Sequence, residues 1–167
     1  MNARIFLFAL LLLIGVSAAH ASDSLFDPST ARPVGPELQK VFGPKSAGLR
    51  YDKRMIHAAE LAAARARKHS TSRCWHYVKD ALVNADVVPT RPGTAYAKQA
   101  GQELITKYGF TKLRLDDPFQ APIGSVLVYG GPGAGHVELR TAQGFASDFI
   151  SPRPSSRPLL GIYVKRS

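Results

Sequence analysis

The chain has 167 residues, a formal net charge of +10 and a single cysteine. One cysteine excludes an intramolecular disulfide framework. The basic residues are scattered, with no aromatic RNA-binding motif and no helix-turn-helix signature, so the charge reads as a solvated surface or as attraction to an anionic polymer and no nucleic-acid partner is expected.

Residues 1–21 read as an export signal. Arg4 supplies the positive start, an apolar run extends from Ile5 to Val16, and Ala19-His20-Ala21 is a small-x-small cleavage site. Cleavage leaves 146 of the 167 residues and lowers the formal charge to +9, enough chain for one domain with a core. The expected location is the periplasm or the exterior, and the mature chain carries no further membrane-spanning run. Residues 22–50 are rich in Pro and Gly and read as an irregular arm, with a short helical turn over 37–42. Residues 51–167 form the expected globular domain.

Asp52 is the expected cap of a first helix over residues 53–68, with Met55, Ala58, Ala59, Ala62 and Ala66 as its apolar stripe. Its alanines imply close approach to a neighbouring helix. A second helix begins near Cys74, with Ser70, Thr71 and Ser72 each competent as caps, and runs to about Asn84. Thr94 is the expected cap of a third helix ending at Tyr108, with Gly109 beyond it. Short extended pieces follow: 111–115, a buried strand over 125–129, a Gly-rich loop over 130–135, an alternating strand over 136–141, then strands over 145–150 and 160–164. Helices followed by consecutive short strands predict an α+β fold, with N-terminal helices packed on a small antiparallel sheet.

Cys74 in the first turn of a helix meets unpaired backbone amides and the positive end of the helix dipole, which favour a thiolate. A lone cysteine is also a common small core residue. In an exported chain a solitary thiol needs a chemical reason, which points towards nucleophilic chemistry. Such a nucleophile needs a base and a group to orient it. His57 and His69 lie on or next to the alanine-rich helix, and His76 points to another side of the cysteine's own helix. His136 opens a strand directly after a glycine-rich loop, which exposes the backbone to a ligand. A three-residue turn, Ala142-Gln143-Gly144, would pair Glu138 with Asp148 and set Asp148 diagonal to His136 on the same face. A two-residue turn would put Asp148 on the opposite face. Asp148 is therefore the expected orienter and Glu138 the competitor. No metal-ligand cluster is present and no cofactor is implied.

These segments resemble the NlpC/P60 superfamily of papain-like cysteine peptidases and amidases, its CHAP branch most closely. The resemblance rests on Cys74-Trp75-His76-Tyr77-Val78, on Ile123-Gly124-Ser125 with the apolar run after it, on Gly135-His136-Val137, and on Ser147-Asp148-Phe149, in that order. Ser125 stands where the family usually has Asp. The resemblance implies a papain-like fold and cleavage of peptidoglycan amides, either in the stem peptide or between sugar and peptide. It implies Cys74 as nucleophile, His136 as general base and acid, and Asp148 as orienter, although His, Asn, Glu or Gln is commoner at that position. The Cys74 amide would supply half an oxyanion hole, with Ser72 or Arg73 as candidates for the rest. Trp75, Gly135 and Glu138 are candidate groove residues, and Trp75 fits core packing equally well. Arg73 and Arg140 are candidate attractors of an acidic stem peptide.

Competing readings share much of this. A transglutaminase-like acyl transferase uses the same residue types in the same order. A non-catalytic, basic wall-binding module would keep Cys74 as a structural residue. An exported toxin would share the chemistry and add an inhibitor or immunity protein to the wall-derived peptide as a partner.

Overall fold

The structure, a computed structural model, describes residues 49–167. The expected signal, the cleavage site and most of the Pro/Gly-rich arm lie outside the described residues. The domain is α+β. Among the described residues three α-helices, α1 (Arg54–Arg65), α2 (Cys74–Asn84) and α3 (Ala100–Tyr108), precede the whole sheet. The strands are β1 (Phe110–Lys112), β2 (Val126–Tyr129), β3 (His136–Thr141), β4 (Gly144–Ala146), β5 (Ile150–Ser151) and β6 (Leu159–Lys165). They form one antiparallel sheet in the order β1-β6-β2-β3-β4-β5.

Alternation along the strands gives the sheet two apolar faces. Val126, Val128, Val137, Leu139 and Ala146 point towards the helices and join Met55, Ala58, Ala62, Val78, Leu82 and Leu104 in the main core. Leu127, Tyr129, Phe145 and Ile162 point the other way, into a smaller cluster with Ala121, Leu113 and Leu115. The alanine stripe lets α1 approach α2 closely, and both helices pack on β3. None of the described helices is long and apolar enough to cross a membrane.

Several boundaries differ from expectation, each with a local cause. The N-cap of α1 is Lys53 and not Asp52, which lies one residue earlier and accepts the Arg54 amide at 3.0 Å, and α1 stops at Arg65. Beyond it the chain turns extended, and the Arg67 amide donates to the Asp148 carbonyl at 2.9 Å. Thr94 does not cap α3. Its hydroxyl and amide donate to buried Glu103 at 2.6 and 2.9 Å, and the helix is entered through a 3₁₀ turn, Ala97–Gln99. Burial pushes the Glu103 carboxyl upward, but these donors outweigh it and hold the carboxyl at about 2. Gly109 ends α3 in the left-handed region (φ 70°) as expected.

Gly124 shows how closely sheet and helix meet. Its φ is +91°, and a Cβ there would lie 2.6 Å from the Met55 carbonyl carbon, against the backbone of α1. Gly124→Ala should therefore combine a strained backbone with a clash that no side-chain rotation relieves. A destabilisation of about 3 kcal/mol is expected in chemical denaturation. A variant as stable as the parent would show that the sheet does not rest on α1 at this point.

Candidate active site

Cys74 is the first residue of α2 and is half-buried at the edge of the main core. Of the hydroxyls expected to cap this helix, those of Ser70 and Thr71 bond Asp148 instead. The N-cap residue is Arg73, and no side chain of that residue caps the helix. Ser72 sits in the left-handed region at φ 60°, a strained conformation for a serine. The loop is held in that shape by Asp148, whose Oδ2 accepts from the Thr71 amide at 2.5 Å, the Thr71 hydroxyl at 3.0 Å, the Arg73 amide at 3.2 Å and the Ser70 hydroxyl at 3.2 Å. Burial alone would raise the Asp148 carboxyl, but the Thr71 and Arg73 amides outweigh it and hold the carboxyl below the ordinary range.

Asp148 thus serves the cysteine's loop, and its hydrogen bonds do not include His136. The reason lies in the hairpin register. The β3–β4 turn is the two-residue type, pairing Thr141 with Gly144, Arg140 with Phe145 and Leu139 with Ala146. This shifts every later residue by one and reverses the face expected for Asp148. The expected strand over 145–150 also breaks. β4 ends at Ala146, β5 begins at Ile150, and Asp148 lies in the tight turn between them, where the Ser147 amide donates to the Phe149 carbonyl at 2.8 Å.

The competitor occupies the expected place. His136 opens β3, and its Nε2 lies 3.2 Å from Glu138 Oε2. Glu138 is buried, and its Oε1 accepts from the Tyr129 hydroxyl at 2.6 Å and the Ser155 amide at 3.3 Å. His136 and Cys74 line the same cleft, and Cys74 is close enough to favour the protonated imidazole. Burial is the largest single influence on His136 and works against protonation. Cys74, then the hydrogen bond to Glu138, and then the charges of both outweigh it, so the imidazole is pushed up to about 9. The same surroundings push the Tyr129 phenol far up, through burial and then the Glu138 charge.

Gly135 lets the loop before His136 pass closely between β2 and the 3₁₀ turn at Ala97–Gln99. Its φ is +75°, and a Cβ would lie 2.5 Å from the Tyr129 carbonyl oxygen and 2.7 Å from Lys98 Cβ. An open cleft of about 540 Å³ lies over the three residues, lined by Ser70, Ser72, Cys74, His136 and Glu138, by the loop 132–135, and by Phe149, Ser151 and the segment 153–157.

The other expected groove residues divide. Ser72 and Gly135 line the cleft. Trp75 is core, its indole donating to the Thr94 carbonyl and hydroxyl at 3.1 Å each. The Arg73 side chain turns to His76, 3.3 Å away, and its amide is held by Asp148. The Ser72 amide is held by the Ser70 hydroxyl at 3.2 Å. Neither amide is therefore open to an oxyanion, unlike that of Cys74 in the uncapped first turn of α2. Arg140 spends its guanidinium on the Thr141 and Gly144 carbonyls, over the Phe145 ring, away from the cleft. Ser125 is buried, and its hydroxyl has no partner among the described residues. Sequence reasoning missed Tyr129, yet the signal was present. Tyr129 stands opposite His136 across the Gly-rich loop, one strand from Glu138 on the same face.

Neither a family model nor a curated protein matches the chain. Solved structures do. A chain of the type VI native effector–immunity complex Tae3–Tai3 from Ralstonia pickettii superimposes with a TM-score of 0.53 and 25% identity, over 67% of this chain and 98% of that one. The selenomethionine form of the same complex gives 0.50 and 25%, over 65% and 98%. The described domain is therefore similar in fold to a chain of a type VI effector–immunity complex.

Proposed function

We propose that this protein is an exported cysteine hydrolase that cleaves an amide bond of peptidoglycan, with Cys74 as nucleophile, His136 as base and acid, and Glu138 as orienter. The observation that carries this reading is the meeting of three groups in one cleft: a helix-start thiol, an imidazole, and a buried carboxylate 3.2 Å from its Nε2. That sequence of partners is what nucleophilic cysteine chemistry requires. The similarity to a chain of the Tae3–Tai3 effector–immunity complex supports an effector role, with an inhibitory protein covering the cleft as a partner. The choice between stem-peptide endopeptidase and sugar–peptide amidase rests with the products.

The mechanism follows from the geometry. With Nε2 on Glu138, Nδ1 is the ring nitrogen left for the thiol. His136 takes the proton of Cys74, and the imidazole holds it through neutrality. Sulfur attacks the carbonyl carbon, and the charge formed on oxygen meets the Cys74 amide at the start of α2. The C–N bond breaks as His136 gives its proton to the leaving amine. The thioester left on Cys74 is then attacked by water, whose proton returns to His136, and the C–S bond breaks to release the acid. Glu138 keeps the ring in one tautomer and offsets its charge.

Cys74→Ala and His136→Ala should each release no fragments from purified peptidoglycan, read by mass spectrometry, where the parent releases new amines and acids. Release by the Cys74→Ala protein would remove the nucleophile from the reading.

Glu138 and Asp148 give separable outcomes. Glu138→Gln should lower kcat/KM about a hundredfold or more. It should also move the alkaline fall of activity, set near 9 by His136 in the parent, towards neutrality. The folded value of His136 lies above its ordinary value of about 6.5. Its contribution to stability is therefore complete below that value and lost as pH rises through about 9. Asp148→Asn should leave the alkaline limb in place and cost about 2 kcal/mol in denaturation, because the loop amides lose their charged acceptor. If Asp148→Asn moved the limb and Glu138→Gln did not, the orienting role would pass to Asp148.

A further inference from the structure

One wall of the cleft is basic in a way that the reaction does not use. The segment between β5 and β6 contributes Ser151 and residues 153–157 to the lining, facing the loop 132–135. It is tied in place. The Ser155 amide donates to Glu138, the Gly130 amide donates to the Pro158 carbonyl at 2.8 Å, and the Ser151 hydroxyl donates to the Arg153 carbonyl at 2.7 Å. Arg157 bridges the two walls through one nitrogen, Nη1, which donates to the Pro132 carbonyl at 2.9 Å. Its Nε and Nη2 donors, and the whole Arg153 guanidinium, have no hydrogen-bond partner among the described residues, and no described carboxylate forms an ion pair with either. The one carboxylate that lines the cleft is Glu138, which is already committed to His136, Tyr129 and Ser155. A guanidinium presents a planar fork matched to a carboxylate and stays charged at every relevant pH.

From this we infer that Arg153 and Arg157 form a subsite for a carboxylate on the substrate, next to the amide that Cys74 attacks. This deepens the proposed function and rests on the same cleft. It replaces Arg73 and Arg140, the arginines singled out from sequence, with two that line the cleft. The enzyme would then select wall peptides that keep a free carboxylate beside the scissile bond and discriminate against those in which it is amidated.

The test separates binding from turnover. Cys74→Ala protein is titrated by calorimetry with one synthetic wall stem peptide in three forms: all carboxylates free, the C-terminal carboxylate amidated, and the side-chain carboxylates amidated. The free form should bind about tenfold tighter than one of the amidated forms, and which one identifies the carboxylate that is read. The preference should weaken with added salt. Arg153→Gln in the same background should reduce the preference, and Arg153→Gln with Arg157→Gln should abolish it. Arg153 makes no side-chain bond within the wall, so its variant tests charge without loosening the wall. In the active protein Arg153→Gln should lower kcat/KM for the free form towards the value of the amidated form that the parent discriminates against. Equal affinity for all three forms, including no binding of any, overturns the subsite, as does a preference that persists in the double variant. A preference without any product from the active protein would leave the subsite standing and remove the hydrolase.

Discussion

Everything at this site depends on the buried carboxylate of Asp148. It sits in the turn between two short strands and collects two backbone amides and two hydroxyls from residues 70–73. Those groups would otherwise cap a helix or face water. By taking them, Asp148 holds Ser72 in a conformation that a serine rarely adopts. The helix that follows starts with its first amides unclaimed by any N-cap side chain. An ordinary serine or threonine cap would satisfy those amides and fill the space in front of Cys74. A cap drawn from the sheet leaves the helix start open and its dipole available to negative charge.

The second constraint is a charge balance within the sheet. Glu138 is buried, which is costly for a carboxylate unless charged or polar partners surround it. Three partners do so here: the Tyr129 hydroxyl, the Ser155 amide and His136. The imidazole keeps its proton because a carboxylate lies on one side and a cysteine on the other, against the pull of burial. In the proposed reaction, the charge state of the base and folding stability would thus be linked through one proton.

Much of this was legible in the sequence, where the evidence was periodic or chemical. The first-half helices and the second-half strands follow from spacing, and the faces of β3 follow from alternation: Val137 and Leu139 inward, His136 and Glu138 together on the other face. Cys74 and His136 stood out as a lone thiol at a helix start and a histidine after a glycine loop, and the fold brings them together. What the sequence did not yield was register. Ala142-Gln143 closes the hairpin in two residues, although Gly144 fits a three-residue turn equally well. One residue of shift exchanges the parts of Asp148 and Glu138. The caps were misread for a related reason. Serines and threonines before a helix are ambiguous when a carboxylate 77 residues away in sequence competes for them.

Glu138 also ties recognition to chemistry. Its two oxygens serve different parts of the molecule: Oε2 meets the imidazole, while Oε1 holds Tyr129 and the amide of Ser155. Ser155 belongs to the wall that carries Arg153 and Arg157. The imidazole and the basic wall are thus anchored to one carboxylate on a central strand, and under the proposed function a substrate gripped by the wall would be held at a fixed distance from the imidazole. That is the geometric condition for binding energy to become orientation at the reacting carbonyl. It also assigns the Pro-rich character of this wall a physical role, since prolines at 152, 154 and 158 restrict the backbone between its anchor points. A flexible segment carrying the same arginines would attract acidic peptides equally well at long range, but it would not place their amide bond over the sulfur.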